Sequence, residues 1–238
     1  MNKEIKYSII CCFYNEINIL KKNFENFINF AEKFTFEYEI FFIDNNSKDG
    51  SREFLKKIEL KKIPNLKFVF NNENLGKGGS ITKCCTLSKG KYCVIFDIDE
   101  YLPEDIINGD SHLSKQNFDF LIGSRILAEK KKFIYKKNLY GVILLTKLIN
   151  WLFKTKLTDA AGATKFFRKE IYDQLKISTK KFDFEFDLIC KFSKKNLKIG
   201  EFSSHYFPRS YEEGKKIKPF IDGLYILKTI LINFIIRS

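Results

Sequence analysis

Three short polar runs hold the chemistry-bearing residues of the first hundred positions: Tyr14-Asn15-Glu16, the segment Asp44-Asn45-Asn46-Ser47-Lys48-Asp49, and Asp97-Ile98-Asp99. The last is the most informative. Residues two apart in an extended segment share a face, so Asp97 and Asp99 project their carboxylates together. Like charges held that close repel unless a cation, a cluster of donors or a shared proton intervenes. A hard divalent ion, Mg²⁺ or Mn²⁺, takes oxygen ligands and commonly bridges carboxylate to phosphate. The triplet alone reads more readily as an exposed acidic turn, with Pro103 and Glu104 opening a helix, and it is the neighbouring segments that favour a metal. Further charged candidates are Lys77 in NLGKGGS, between the second and third runs, and downstream Arg125 in Gly123-Ser124-Arg125, Asp159 in TDAAGATKFFR, Glu185 and Asp187 in FDFEFDLI, and Arg209, Lys215 and Lys216 in PRSYEEGKKIK.

Each of the three polar runs follows a predicted strand. The segments 6–13, 38–43, 66–70 and 92–96 are short, apolar and rich in aromatic and β-branched residues. Between them, Leu20, Phe24, Phe27, Ile28 and Ala31 recur at helical spacing. Ser51 is placed to cap a helix through Leu55 and Ile58, and Asn74–Gly79 opens another to about Ser88. This alternation predicts an α/β fold, a mostly parallel central sheet with helices on both faces. Ligands of such sheets bind beyond the carboxyl ends of the strands, near the switch in strand order, which is where the three runs converge. Downstream, 118–122 and part of 197–206 read as strands, 140–153 and 182–192 as helices, and 158–168 as a compact segment. There is no repeat and no low-complexity linker, so one domain over 1–238 is expected.

Composition bounds the function. A hydrophobic content of 45% with 26 phenylalanines suits a buried core, and the net charge of +13 attracts anions such as nucleotide phosphates or a membrane surface. Nothing resembles a nucleic-acid module with base-reading residues at set spacing, so no nucleic-acid partner is expected. The basic run Lys130-Lys131-Lys132, continued at Lys136 and Lys137, fits an interfacial segment or a solvated loop. The six cysteines form no C-x-x-C pair, and most lie in apolar segments. No signal peptide is evident at the start, which points to the cytoplasm. No stretch reaches the ~20 apolar residues that span a bilayer. Residues 220–236 come nearest and read as an amphipathic helix that either packs or lies on the inner face of the plasma membrane.

Taken together, Tyr14-Asn15-Glu16, FFIDNNSKDGS, NLGKGGS and Asp97-Ile98-Asp99 resemble family 2 glycosyltransferases of the GT-A fold, over nearly the whole chain. The nearest likeness is to the dolichol-phosphate mannosyltransferase-like and polyprenyl-phosphate glycosyltransferase branch. The resemblance implies an inverting, metal-dependent transfer from a nucleotide-diphosphate sugar, UDP- or GDP-linked, to a glycan or lipid-linked acceptor in cell-surface polysaccharide assembly. It makes 1–105 the nucleotide-binding half and 106–238 the acceptor half. A lipid phosphate acceptor, a sugar nucleotidyltransferase and an inactive nucleotide-sugar-binding protein are the alternatives.

Residue by residue, the resemblance implies that Tyr14, Glu16, Asp44 and Asn45 contact the nucleoside, with Asn45 replacing the usual second Asp and Asn46 standing where Gly is usual. It gives Lys77 and Arg125 to the phosphates and Asp97 and Asp99 to a Mg²⁺ or Mn²⁺ ion on the diphosphate. Asp159 is the first choice for the base that accepts the acceptor's proton, with Glu185 and Asp187 as the other candidates; Ala163 and Thr164 depart from the family's Gly-Phe there. Arg209, Lys215 and Lys216 would close over the diphosphate or an acceptor phosphate, with Gly214 letting that loop bend. An acceptor that is already an anionic lipid phosphate needs no strong base.

Overall fold

The computed structural model describes residues 4–130, 133–195 and 197–236; Lys131 and Lys132 of the basic run lie outside them. The first half alternates as expected: β1 (Tyr7–Phe13), α1 (Ile17–Ala31), β2 (Tyr38–Asp44), α2 (Ser51–Glu59), β3 (Leu66–Phe70), α3 (Gly76–Leu87) and β4 (Tyr92–Ile95). Then follow α4 (Glu104–Gln116), β5 (Phe120–Ser124), α5 (Lys136–Phe153), β6 (Lys165–Arg168), α6 (Lys169–Asp173), α7 (Phe184–Lys194), β7 (Ile199–Ser203) and α8 (Pro219–Ile235). The strands form one sheet in the order β3-β2-β1-β4-β6-β5-β7. All pairings are parallel except those of β6, which runs antiparallel to both β4 and β5.

Alternation along the strands splits the core in two. On β1 and β2, Tyr7, Ile9, Cys11, Phe13, Ile40 and Phe42 face one way and pack under α1, α2 and α4. Ile10, Phe41 and Ile43 face the other way, toward residues of α3, α5, α7 and α8. Helices therefore cover both faces, as a parallel sheet requires. At ~25 cal/mol per Å², each fully buried Phe or Ile contributes about 1.5–3 kcal/mol, so this phenylalanine-rich double core holds the strand ends in register.

Two local expectations change. Ser51 is the first residue of α2 rather than its cap; the cap position is Gly50, at φ 95°. The Ser51 hydroxyl instead bonds Asp49 Oδ1 at 2.6 Å and accepts the Glu16 backbone N–H at 2.9 Å, joining the first two polar runs. The compact segment at 158–168 ends in a strand, β6, which the short KFFR run did not announce.

Candidate active site

The strand order reverses between β1 and β4, and the chains leaving their carboxyl ends, Tyr14 and Glu16 from one and Asp97, Asp99 and Glu100 from the other, meet there. They line a cavity of about 480 Å³. Asn45 joins from the end of β2, Lys77 from α3, Arg125 from the end of β5 and Glu185 from α7. Arg209, Lys215 and Lys216 come from the segment before α8. Three elements of the first half, the ends of β1 and β2 and the start of α3, and three of the second, the end of β5, α7 and the segment before α8, thus line one cavity with the acidic pair.

Backbone conformation explains several residue choices. Asn46 sits at φ 65°, the left-handed region that Gly adopts freely and Asn tolerates, which accounts for Asn at this turn. Asn45 is buried and accepts the Leu75 N–H at 2.8 Å while donating to Asn74 Oδ1 at 2.8 Å, so it ties the turn to the start of α3. Gly76, which opens that helix, has φ 76°, and a Cβ there would collide with the Lys180 carbonyl. Asp44 does not line the cavity. It is fully buried and accepts Arg52 Nε at 2.7 Å and the Ser47 N–H at 3.1 Å, while its neighbour Asn45 lines the cavity.

The acidic pair is met by two cations. Asp97 accepts Lys77 Nζ at 2.8 Å, and Lys77 also reaches Glu185 Oε1 at 2.9 Å. The other Glu185 oxygen lies 2.5 Å from Lys165 Nζ, a fully buried lysine that also donates to the Gly162 carbonyl. Burial alone would push the Glu185 carboxyl up, but Lys165 and Lys77 together outweigh it and hold it at about 2. Burial pulls the Lys165 ammonium below the usual lysine range, opposed by Glu185. Asp99 Oδ2 lies 2.6 Å from Arg209 Nε, yet the two are misaligned, and both atoms are buried without a hydrogen bond. Burial, then the Asp97 charge, push the Asp99 carboxyl up to about 7. Arg209 also donates to Glu16 at 3.1 Å, and Lys216 reaches the same Glu16 oxygen at 2.7 Å, which folds the C-terminal loop over the first polar run. Gly214, at φ 89°, turns that loop.

At the end of β5, Arg125 makes a two-pronged contact with Asp159, Nε to Oδ2 at 2.7 Å and Nη2 to Oδ1 at 2.8 Å, and its backbone N–H adds a third bond at 3.1 Å. The guanidinium carbon stands 4.9 Å from the Tyr206 ring centroid. Asp159 is fully buried and does not line the cavity; Arg125 does. Burial would raise the Asp159 carboxyl, but Arg125 holds it below the ordinary carboxylate range. Glu201 accepts the N–H groups of Thr158 and Asp159 at 2.7 and 2.9 Å, and Gly162 allows this loop to approach the Gly123 carbonyl where a Cβ would clash. Asp187 also points away from the cavity. On helix α7 it lies two residues from Glu185 and so on a different face, where it accepts Asn233 at 2.8 Å, Lys191 at 2.9 Å and Thr179 at 3.0 Å.

The structure therefore brings Tyr14, Glu16, Asn45, Lys77, Asp97, Asp99, Arg125, Glu185, Arg209, Lys215 and Lys216 together and leaves Asp44, Asp159 and Asp187 behind the cavity wall. Sequence reasoning missed Lys165, Glu100 and Tyr206. A lysine inside the apolar run TKFF was the available signal for the first.

The acidic pair fits a divalent ion. Asp99 Oδ2 is a buried carboxylate oxygen without a hydrogen bond, near enough to the Asp97 carboxylate for their charges to repel, with Arg209 alongside it in this structure. Among the described residues no three His, Cys, Asp or Glu side chains converge to hold an ion by themselves. The fit is thus to an ion such as Mg²⁺, bound by one or two carboxylates and completed by phosphate oxygens.

Comparison with known proteins agrees with this architecture. The sequence is 26% identical over 247 residues to the dolichyl-phosphate beta-glucosyltransferase of Dictyostelium discoideum, an alignment covering 95% of this chain and 73% of that protein. Among solved structures, S. aureus TarS 1–349 in complex with UDP-GlcNAc superposes with a TM-score of 0.62 at 18% identity, covering 96% of this chain and 66% of that one. Glucosyl-3-phosphoglycerate synthase from Mycobacterium tuberculosis, in complex with Mn²⁺, UDP-glucose and phosphoglyceric acid, superposes with a TM-score of 0.70 at 13% identity, covering 98% and 81%. These likenesses establish the GT-A fold. The model of the family described as "Glycosyl transferase family 2" matches residues 8–176, which run from the second residue of β1 to just past α6. This chain belongs to glycosyl transferase family 2 and is a glycosyltransferase of the GT-A fold.

Proposed function

We propose that the protein transfers a sugar, with inversion, from a nucleoside-diphosphate donor to an acceptor that presents an anionic phosphate, such as a lipid phosphate on the way to a cell-surface glycan. One observation carries this reading. The three carboxylates expected to serve as base are all committed, Asp159 to Arg125, Glu185 to Lys77 and Lys165, and Asp187 to Lys191 and Asn233, while Arg125, Arg209 and Lys215 line the cavity. A hydroxyl acceptor needs a group to take its proton. A phosphate acceptor has none to lose and is attracted by these cations. The name of the Dictyostelium relative, a dolichyl-phosphate transferase, supports the same choice.

Asp97 and Asp99 would hold a Mg²⁺ or Mn²⁺ ion, which when bound supplies Lewis-acid stabilisation of the departing diphosphate. Lys77 and Arg209, released from the aspartates, then meet the phosphate charge that develops as the bond from anomeric carbon to diphosphate oxygen breaks. The acceptor phosphate oxygen forms the new bond to that carbon, and nucleoside diphosphate leaves. Tyr14, Glu16 and Asn45 hold the nucleoside end. Glu185 keeps Lys77 aimed at the diphosphate.

The test is transfer by purified protein across UDP-, GDP- and dTDP-sugars, with Mn²⁺, Mg²⁺ or EDTA, onto polyprenyl phosphate or the matching polyprenol. Metal-dependent release of nucleoside diphosphate with a glycosylated lipid phosphate is expected. Equal transfer to the polyprenol would refute the phosphate acceptor. No release from any donor, even with a membrane extract present, would refute glycosyl transfer, and nucleoside triphosphate formed from pyrophosphate would show nucleotidyl transfer instead.

A further inference from the structure

Helices α5 and α8 lie side by side, with the Phe153 and Phe234 rings meeting edge-on at 6.2 Å, and both present apolar residues outward. On α5 the exposed positions Lys137, Tyr140, Leu144, Lys147 and Trp151 recur at spacings of three and four, one stripe of a helix. Trp151 is 77% exposed and Leu144 69%. On α8 the stripe is Phe220, Leu224, Leu227, Leu231 and Ile235, with Phe220 80% exposed and Lys228 beside it. No helix among the described residues is long and apolar enough to cross a membrane.

Polar contacts fix which side of α8 turns outward. Asn233 donates to Asp187 at 2.8 Å and Thr229 to Asp183 at 3.0 Å, so α7 grips the inner side, where Ile226 and Ile230 are buried. This contact also gives Asp187 a structural use, as an anchor for α8. The outer stripes therefore cannot roll into the core.

Charge selects the occupant. α5 contains no carboxylate, and the one on α8, Asp222, accepts the Lys218 N–H at 2.6 Å. The exposed charges interleaved with the apolar stripes, Lys137, Lys147 and Lys228, are all positive. A second copy docking symmetrically would set these lysines against one another. An anionic bilayer surface takes both the apolar side chains and the ammonium groups. We propose that the α5–α8 face is a membrane-docking surface that seats the protein on bilayers containing anionic lipid. The same two helices wall the cavity through Leu139, Val142 and Ile226, so docking sets the site beside the lipid. The inference stands apart from the identity of the acceptor.

Trp151 is the sole tryptophan of the chain, so its fluorescence reports on this face directly. The full-length protein is titrated with vesicles of phosphatidylcholine alone, or of equal parts phosphatidylcholine and phosphatidylglycerol. A saturable blue shift, quenched by brominated lipid and weakened by salt, is expected with the anionic vesicles and not with phosphatidylcholine alone. The double variant Leu144→Asp, Leu231→Asp changes two exposed side chains that do not line the cavity. It should fold as the parent does by circular dichroism and bind the anionic vesicles on the order of a hundredfold more weakly. No shift with anionic vesicles, or undiminished binding by the folded double variant, would overturn the proposal. So would a dimer, seen by sedimentation in the parent and abolished in the double variant, that keeps Trp151 shielded when vesicles are added.

Discussion

Lys165 offers the sharpest test of how the site is built. It is fully buried, with its charge met by Glu185 Oε2 at 2.5 Å, while the other Glu185 oxygen is met by Lys77 at 2.9 Å. Lys165→Met keeps much of the volume and removes the charge. Severing a buried ion pair costs ~3–5 kcal/mol because the remaining charge is left uncompensated. Here Lys77 still neutralises Glu185 in part, so the lower end, about 3 kcal/mol, is expected. In a chain of this size that corresponds to a fall in Tm of roughly 6–12 °C. Glu185→Gln should cost a similar amount, since it strands Lys165. The double variant removes both charges, and its cost should fall short of the sum of the singles by about 2 kcal/mol or more. Urea unfolding followed by fluorescence and circular dichroism measures all four corners of the cycle. Additivity within ~0.5 kcal/mol would show that the two groups do not form a pair and would refute the account of Glu185 as the anionic hub between two lysines. The kinetic counterpart follows from the same geometry. Held at about 2, Glu185 is a poor base at neutral pH, so Glu185→Gln should raise the donor KM and leave the shape of the pH–rate profile unchanged.

Two further outcomes are expected. Asp159→Asn, which loosens the grip on Arg125, should lower stability by about 2–3 kcal/mol by urea unfolding and raise the acceptor KM while the pH–rate profile keeps its shape; loss of the acidic limb of that profile would mark Asp159 as the base. Asp99 in the folded protein binds its proton up to about pH 7, well above its ordinary value of 3.8, so its ionisation costs the metal-free fold stability as pH rises from about 4 through 7. Asp99→Asn should therefore raise the metal-free Tm at pH 8.5 by roughly 2–4 °C, as ~1 kcal/mol would, and leave it unchanged near pH 4; equal shifts at both pH values would show that the carboxylate is not held at raised pKa.

The first half was legible because its signals are local. An apolar run followed by a polar cluster marks the carboxyl end of a strand, and three such runs placed Tyr14, Asn45 and Asp97 on one rim. Asp97 and Asp99 both line the cavity, though they reach it from the turn that follows β4 rather than from an extended strand end. What stayed hidden depends on contacts between distant segments. Glu185 meets Lys77 from far along the chain as well as Lys165, and no spacing rule reaches that far. Asp159 read as a free acid because nothing in TDAAGATKFFR shows that Arg125 from β5 takes both its oxygens. Asp187 read as an alternative to Glu185 because nothing in FDFEFDLI shows what each carboxylate meets; on α7 the two separate, one toward the cavity and one toward α8. β6 is four residues long and pairs antiparallel with strands on either side, a register fixed by the sheet rather than by its own pattern.

The central claim is that Asp97 and Asp99 anchor the donor diphosphate through a divalent ion. Calorimetric titration of UDP and of GDP into the protein, with Mn²⁺ or with EDTA, tests it without any need for an acceptor. The account predicts that at least one nucleotide binds in Mn²⁺, that EDTA weakens its binding by tenfold or more, on the order of 1.4 kcal/mol, and that Asp97→Asn with Asp99→Asn abolishes the metal effect in a folded protein. Equal affinity in Mn²⁺ and EDTA, or a metal effect that survives the loss of both carboxylates, would contradict it.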